Sequence, residues 1–306
     1  MHKEEYDAQP TSHRSHNKDK LDGESLLPAI LARNLSFTYS GVDRRSISDV
    51  NFSIEKEEFV ILTGPSGCGK TTLCRCLNGL IPNFYAGQLN GELQINGVDV
   101  KGKSTAELAT HIGFVFQNPE NQLFSLSVER DVAFGLENLG IPREEAIERI
   151  EWAMKVTGIT ELRNKAPYEL SGGQQQRAAI AGVLAMRPEI IILDEPTSFL
   201  DPKTAEEILT VISRLNHELG LTTLLVEHRL DTVSAFADRI IVMDKGRIAL
   251  DGPPDKIYDE PARLIGIGLP KVTTLFHLLR LDGVPVTTNP ITVTQASEAL
   301  RRVFED

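Results

Sequence analysis

The residues most able to do chemistry stand in residues 58–72, EFVILTGPSGCGKTT, where an apolar strand enters a glycine-rich turn and then a helix. The spacing from Gly64 to Gly69, Lys70 and Thr71 fits a phosphate-binding loop. Glycines at 64, 67 and 69 allow backbone N–H groups to converge on a polyphosphate, because residues with a Cβ resist those dihedrals. Lys70 then reaches the β- and γ-phosphates and Thr71 offers a hydroxyl to Mg²⁺. The helix starting near Lys70 turns its positive dipole end toward the anion. The expected nucleotide contacts are Gly64, Pro65, Ser66, Gly67, Cys68, Gly69, Lys70, Thr71 and Thr72.

Paired acids make the second site. EIIILDE, residues 189–195, is too short for a globular helix and too continuously apolar for a half-exposed strand, so it reads as a buried parallel strand delivering Asp194 and Glu195. Buried strands that end in two carboxylates point to metal and water chemistry. TTLLVEH repeats the pattern and delivers His228, and HIGFVFQNP delivers Gln117. Ser171, Gly172, Gly173 and Gln174 introduce a helix whose exposed N–H groups make either a second anion site or a plain capped helix start. Tyr39, between two β-rich runs, is able to stack on a purine base or to sit on a strand face.

The elements that must position these groups alternate. A helix is expected after the phosphate loop, another over PREEAIERIEWAMKV, another after Ser171, and another from Asp201-Pro202 to Gly220. IIVMDKGRIALDG reads as a hairpin turning at Lys245-Gly246. Alternating strands and helices imply an α/β core with ligands at the carboxyl ends of parallel strands. Residues 1–28 lack apolar periodicity and read as a disordered tail, residues 29–258 as the main domain, and residues 259–306 as a small helical extension joined by a linker near 259–269.

Composition limits the alternatives. The 306 residues are 41% hydrophobic and 25% charged, an ordinary balance for a globular chain. A net charge of -11 argues against a nucleic-acid partner, whose binding would rest on Lys and Arg. No stretch approaches the roughly 20 apolar residues of a spanning helix, and no signal peptide is visible, so a cytoplasmic protein is expected. Cys68, Cys74 and Cys76 are odd in number, and Cys74 and Cys76 project about 200° apart on one helix, which suits packed reduced thiols rather than a metal site.

Taken together, Tyr39, residues 64–71, Gln117, LSGGQ at 170–174, ILDEP at 192–196, SFLD at 198–201 and His228 stand in the order of an ATP-binding cassette, and the chain resembles the ATPase subunits of ABC transporters from about Ala29 to Gly252. The resemblance implies a P-loop α/β cassette with a mainly parallel core sheet, an antiparallel β subdomain and a helical subdomain. It implies ATP and Mg²⁺ as ligands, with Tyr39 on adenine, Lys70 on the phosphates, and Thr71, Gln117 and Asp194 around the metal. Glu195 would be the general base, His228 would contact the γ-phosphate, and Asp201 would carry information between two sites. Ser171 to Gln174 would cap ATP held by a second subunit, in a head-to-tail homodimer or a heterodimer with a homologous ATPase.

QNPENQLFSLSVERDVAFG and the C-terminal piece are similar to the energy-coupling factor group. That likeness implies an importer of a vitamin or transition-metal ion on the cytoplasmic face of the membrane, with an integral coupling protein and a small substrate-binding membrane subunit as partners. The alternative is a soluble ABC ATPase of DNA repair or translation, but the chain has neither a coiled-coil insertion nor a second cassette. Two departures from the family stand out. Phe199 replaces a small residue, and Glu227 stands where Thr is usual, either adding negative charge near the γ-phosphate or facing away.

Overall fold

The computed structural model describes residues 27–258 and 265–304. The expected tail over residues 1–28 therefore lies almost wholly outside the described residues, as does much of the linker near 259–269.

Two sheets form the framework. The first is antiparallel, in the order β2-β1-β4-β5, from β1 (Ile30–Tyr39), β2 (Ile47–Ile54), β4 (Gly87–Ile95) and β5 (Val98–Asp99). The second has the order β10-β9-β3-β8-β7-β6. It contains β3 (Phe59–Thr63), β6 (Ile112–Val115), β7 (Ile190–Asp194), β8 (Thr222–Val226), β9 (Arg239–Asp244) and β10 (Arg247–Gly252). Its strands are parallel except β10, which folds back on β9 through the expected turn.

The central strands are apolar at consecutive positions because both faces of the sheet are covered. Phe59, Ile61, Ile191 and Leu193 enter one core, while Val60, Leu62, Ile190 and Ile192 enter the other. The first core is closed by four helices: α2 (Val128–Asn138), α3 (Arg143–Val156), α4 (Gly172–Ala185) and α5 (Pro202–Leu219). The second holds α1 (Lys70–Leu77) against the antiparallel sheet through Leu73, Cys74, Cys76 and Leu77. All three cysteines are free and buried, as the sequence implied.

Helix starts follow local chemistry. Asp201 caps α5 by accepting from the N–H groups of Lys203 and Thr204, each at 3.1 Å, with Pro202 in the first turn. Gly220 ends α5 in a left-handed conformation, φ +64°. Two further helices, α6 (Lys271–Leu281) and α7 (Val293–Phe304), pack on each other through Phe276, Val286 and Ala296. His277 Nε2 lies 3.0 Å from the Tyr258 carbonyl, tying α6 to the end of the cassette.

Strand β6 meets α4 at Gly113, where an added Cβ would stand 2.1 Å from a Val183 methyl and 3.0 Å from Pro188. Overpacking of this kind costs about 1–3 kcal/mol. Gly113→Ala is therefore expected to lower the thermal midpoint by several degrees. An unchanged midpoint in a calorimetric scan would contradict this packing.

Candidate active site

The carboxyl ends of β3, β7 and β8 converge on one cavity. It encloses about 360 Å³ and is lined by Ser66, Gly67, Gly69, Lys70, Thr71 and Thr72, with Glu195 and His228 on the far side. Gly64 turns the chain out of β3 where its own backbone grazes β9: at φ +144°, a Cβ there would lie 2.1 Å from the Met243 carbonyl oxygen. Gly69 is comparably confined, with a Cβ position 2.7 Å from the Ser46 carbonyl oxygen. The loop is thus clamped from behind while its front stays open.

Lys70 is buried and folded onto its own loop. Its Nζ donates to the carbonyls of Gly64 at 2.9 Å and Pro65 at 3.2 Å. Arg44, Arg45 and Lys245 add three more cationic side chains to the cavity wall, against the single carboxylate of Glu195. Volume and charge both fit a nucleotide polyphosphate. The two arginines, in the connection between β1 and β2, were not singled out in the sequence. Their only signal was a basic pair a few residues beyond Tyr39.

Glu195 is the node of the site. Gln117 Nε2 donates to its Oε2 at 2.8 Å, Ser198 Oγ donates to the same oxygen at 3.1 Å, and His228 Nε2 lies 2.9 Å from its Oε1. Its backbone sits at φ +49°, a left-handed conformation uncommon for a residue with a side chain, and its N–H donates to the Val226 carbonyl at 3.0 Å. The chain therefore turns sharply at the end of β7 and aims the carboxylate across the sheet toward β6 and β8. Gln117, Glu195 and His228, separated widely in sequence, meet as one hydrogen-bonded group.

Asp194, one residue earlier, points into the buried side, with the hydroxyl of Thr71 beside it. Burial pushes its pKa above the ordinary carboxylate value, and the charge of Glu195 pushes the same way, against the opposing pull of Arg75 and Lys70. Among the described residues no three His, Cys, Asp or Glu side chains gather as a metal site. A divalent cation here would need oxygens from water and phosphate besides Thr71 and Asp194.

Tyr39 and Ser171–Gln174 do not line this cavity, the latter being expected to meet a nucleotide held by a second subunit. The Tyr39 ring is wedged edge-on against Phe37 at 4.7 Å and Tyr85 at 6.4 Å, and its hydroxyl is 3.3 Å from Thr72 Oγ1 and 3.5 Å from Arg75 Nη1. Val42, Arg44, Arg45 and Ser46, from the connection that follows Tyr39, line the cavity. Ser171 to Gln174 lie apart from the cavity as well. Ser171 caps α4, with its Oγ 3.4 Å from the Gln174 N–H and its own N–H 3.1 Å from Gln174 Oε1, and it is exposed. Gln117 lines a different groove, with Gly172, Gln176, Phe199 and Leu200.

A family model described as ABC transporter matches residues 47–198. The energy-coupling factor transporter ATP-binding protein EcfA2 of Caldanaerobacter subterraneus is 44% identical over 281 residues, covering 89% of this chain and 96% of that protein. The chain belongs to the ABC transporter family of ATPases. The structure of CbiO1 from Clostridium perfringens, described as part of the ABC transporter complex CbiONQ, superposes with a TM-score of 0.70 at 34% identity, over 83% of this chain and 95% of that one. The ATP-binding cassette MJ0796, in a dimeric post-hydrolysis state bound to ADP and Pi, gives a TM-score of 0.64 at 32% identity, covering 73% of this chain and 98% of that one. The chain spans only 42% of the length of the putative ABC transporter ATP-binding proteins of Methanosarcina mazei and Methanosarcina acetivorans that it matches. Among the described residues, no helix of this ABC cassette is long and apolar enough to cross a membrane.

A carboxyl whose pKa is raised by folding makes the folded state bind more protons, so stability falls as pH rises through the folded value. In nucleotide-free protein with chelator, Asp194→Asn is expected to melt higher than the wild type at pH 8, with the gap closing as pH is lowered toward about 4, the ordinary Asp value. A gap that stays constant or widens on acidification would contradict the burial argument.

Proposed function

We propose that this chain is the motor subunit of an energy-coupling factor type importer, which binds and hydrolyses ATP at the cytoplasmic face of a membrane. The convergence of Gln117, Ser198 and His228 on Glu195, at the mouth of a cationic phosphate cavity, carries this reading. Lys70 leaves its loop carbonyls to meet the β- and γ-phosphates, and the loop backbone from Gly64 to Thr72 holds the rest. Glu195 accepts a proton from the attacking water, a role worth about 10²- to 10⁴-fold in rate. His228 orients that carboxylate and donates toward the γ-phosphate as charge develops. Mg²⁺, when bound, neutralises phosphate charge and aligns the leaving group. Thr71 and Asp194 would hold it. Gln117 would join them once released from Glu195.

A head-to-tail dimer completes the site. Ser171 and Gly172 are exposed at the start of α4, where helix N–H groups and the dipole favour an anion, and none of them reaches the cavity of its own chain. The dimeric state described for MJ0796 supports a dimer here. Leu275, Leu278 and Leu281 of α6 and Phe304 of α7 are exposed and would add a second contact between copies.

The membrane partner would dock beside Gln117. Phe116, Phe124, Leu126 and Phe134 are exposed there, with Phe124 and Phe134 in edge contact at 4.7 Å. Gln122 does not itself face outward. Its side chain accepts from Phe116 N–H at 3.2 Å and donates to the Phe114 carbonyl at 3.3 Å, which shapes the turn that presents those rings. The cargo class proposed, a vitamin or a transition-metal ion, rests on the likeness to EcfA2 and CbiO1.

ATPase rate per molecule is expected to rise with protein concentration until dimers saturate. Glu195→Gln is expected to lower kcat by at least about 10²-fold and to hold an ATP-bound dimer on size-exclusion chromatography with light scattering. A concentration-independent rate from a monodisperse monomer would refute the dimer. For transport, recovery of an integral membrane protein on affinity purification from solubilised membranes, lost when Phe124 and Phe134 are both changed to Ser, is the expected result. No membrane partner with the wild type would favour a soluble ATPase.

A further inference from the structure

We infer that Glu227 is a positioning residue, which locks the segment carrying His228 to the segment carrying Glu195 and Asp201. Its side chain does not face the nucleotide cavity. It is 2% exposed and turned toward Thr197, which is fully buried two residues beyond Glu195. Thr197 Oγ1 donates to Glu227 Oε1, while Oε2 accepts from the backbone N–H of His228 at 2.9 Å and of Arg229 at 3.3 Å. Arg229 closes the ring from the other side: its Nη2 donates to the Thr197 carbonyl at 2.8 Å and to Thr197 Oγ1 at 3.2 Å. The Glu227 N–H is held in turn by the Leu62 carbonyl of β3 at 3.2 Å. One carboxylate therefore fixes the backbone on which His228 is mounted to the turn leading from Glu195 to Asp201.

The link depends on an acceptor at both oxygens. A carboxylate accepts everywhere, whereas an amide accepts at one oxygen and donates at its nitrogen. In Glu227→Gln, if the amide oxygen serves the two backbone N–H groups, the amide nitrogen meets Thr197 Oγ1. That oxygen has a second lone pair and can accept from the amide as well as from Arg229, but its own proton then loses its acceptor. If the amide is flipped, two buried N–H groups face an N–H₂. Either way a buried donor is left unpaired at the junction of the two segments while the side-chain volume is kept. A threonine at position 227 could not span to Thr197 and both N–H groups at once. Since neither Glu227 nor Thr197 lines the cavity, the loss should fall on the alignment of His228 with Glu195, not on nucleotide binding.

This inference rests on the proposed roles of Glu195 and His228. The test is steady-state ATPase of the full chain at dimer-saturating concentration, with Glu227→Gln, Thr197→Val, the double variant and Thr197→Ser, and melting temperatures measured in parallel. Glu227→Gln and Thr197→Val are each expected to lower kcat about tenfold with KM for ATP within about twofold. The double variant is expected to be no slower than the slower single, and Thr197→Ser to keep wild-type kcat. Wild-type kcat in either Glu227→Gln or Thr197→Val, a double loss equal to the product of the singles, or a Thr197→Ser variant as slow as Thr197→Val would overturn it. Should Glu227→Gln not fold, the Val and Ser variants at position 197 decide alone. An inactive wild type fails the hydrolysis reading and this inference with it, whereas an active wild type indifferent to these changes fails only this one.

Discussion

A carboxylate that emerges from a buried strand has to find donors, and the architecture of this cassette follows from how Glu195 finds its own. Strand β7 is buried along its whole length, so the acids at its end arrive among apolar neighbours. Asp194 faces inward toward Thr71 and the phosphate loop. Glu195 is thrown the other way by its left-handed backbone and collects Gln117 from the end of β6 and His228 from just beyond β8. The parallel sheet brings these three chain ends together because β6, β7 and β8 are neighbours in it. Hydrogen bonds to a shared carboxylate then make three strand ends behave as one part.

The phosphate loop depends on the other side of the same sheet. It leaves β3 between β8 and β9, and its rear is packed so closely on Met243 and Ser46 that only glycine fits at 64 and 69. Its helix α1 is anchored in the second core by Leu73, Cys74 and Leu77, so the antiparallel sheet steadies the phosphate side while α4 and α5 steady the carboxylate side. The proposed nucleotide site lies between groups that are built from opposite cores. Small movements of one core against the other would open or close the distance from Lys70 to Glu195, as the proposed motor role requires.

Much of this was legible in the residues. The continuous apolar run before Asp194, the cap at Asp201-Pro202 and the Ser171–Gln174 capping box each carry a local physical signal, and each element formed where that signal placed it. Side-chain direction was less legible. Tyr39 ends β1 as expected, yet Phe37 and Tyr85 claim its ring, and no spacing rule foretells an aromatic contact across 46 residues. Arg44 and Arg45 face the cavity because the β1–β2 connection folds over the loop, a tertiary fact with no periodicity behind it. The sequence leaves Glu227 either adding charge near the phosphate or facing away, and it faces away. Which side it took was decided by Thr197, brought close only when β7 and β8 pair.

The nucleotide is proposed to lie between the loop of one copy and the start of α4 in another, an arrangement open to direct observation. Its most direct measurement is thiol cross-linking in a Glu195→Gln background carrying Ser66→Cys and Ser171→Cys, two exposed positions in a chain whose native cysteines are buried. The expected product is a band of twice the monomer mass that forms with ATP and is absent without it. A band that forms equally without nucleotide, or a cross-link confined to one chain, would contradict it.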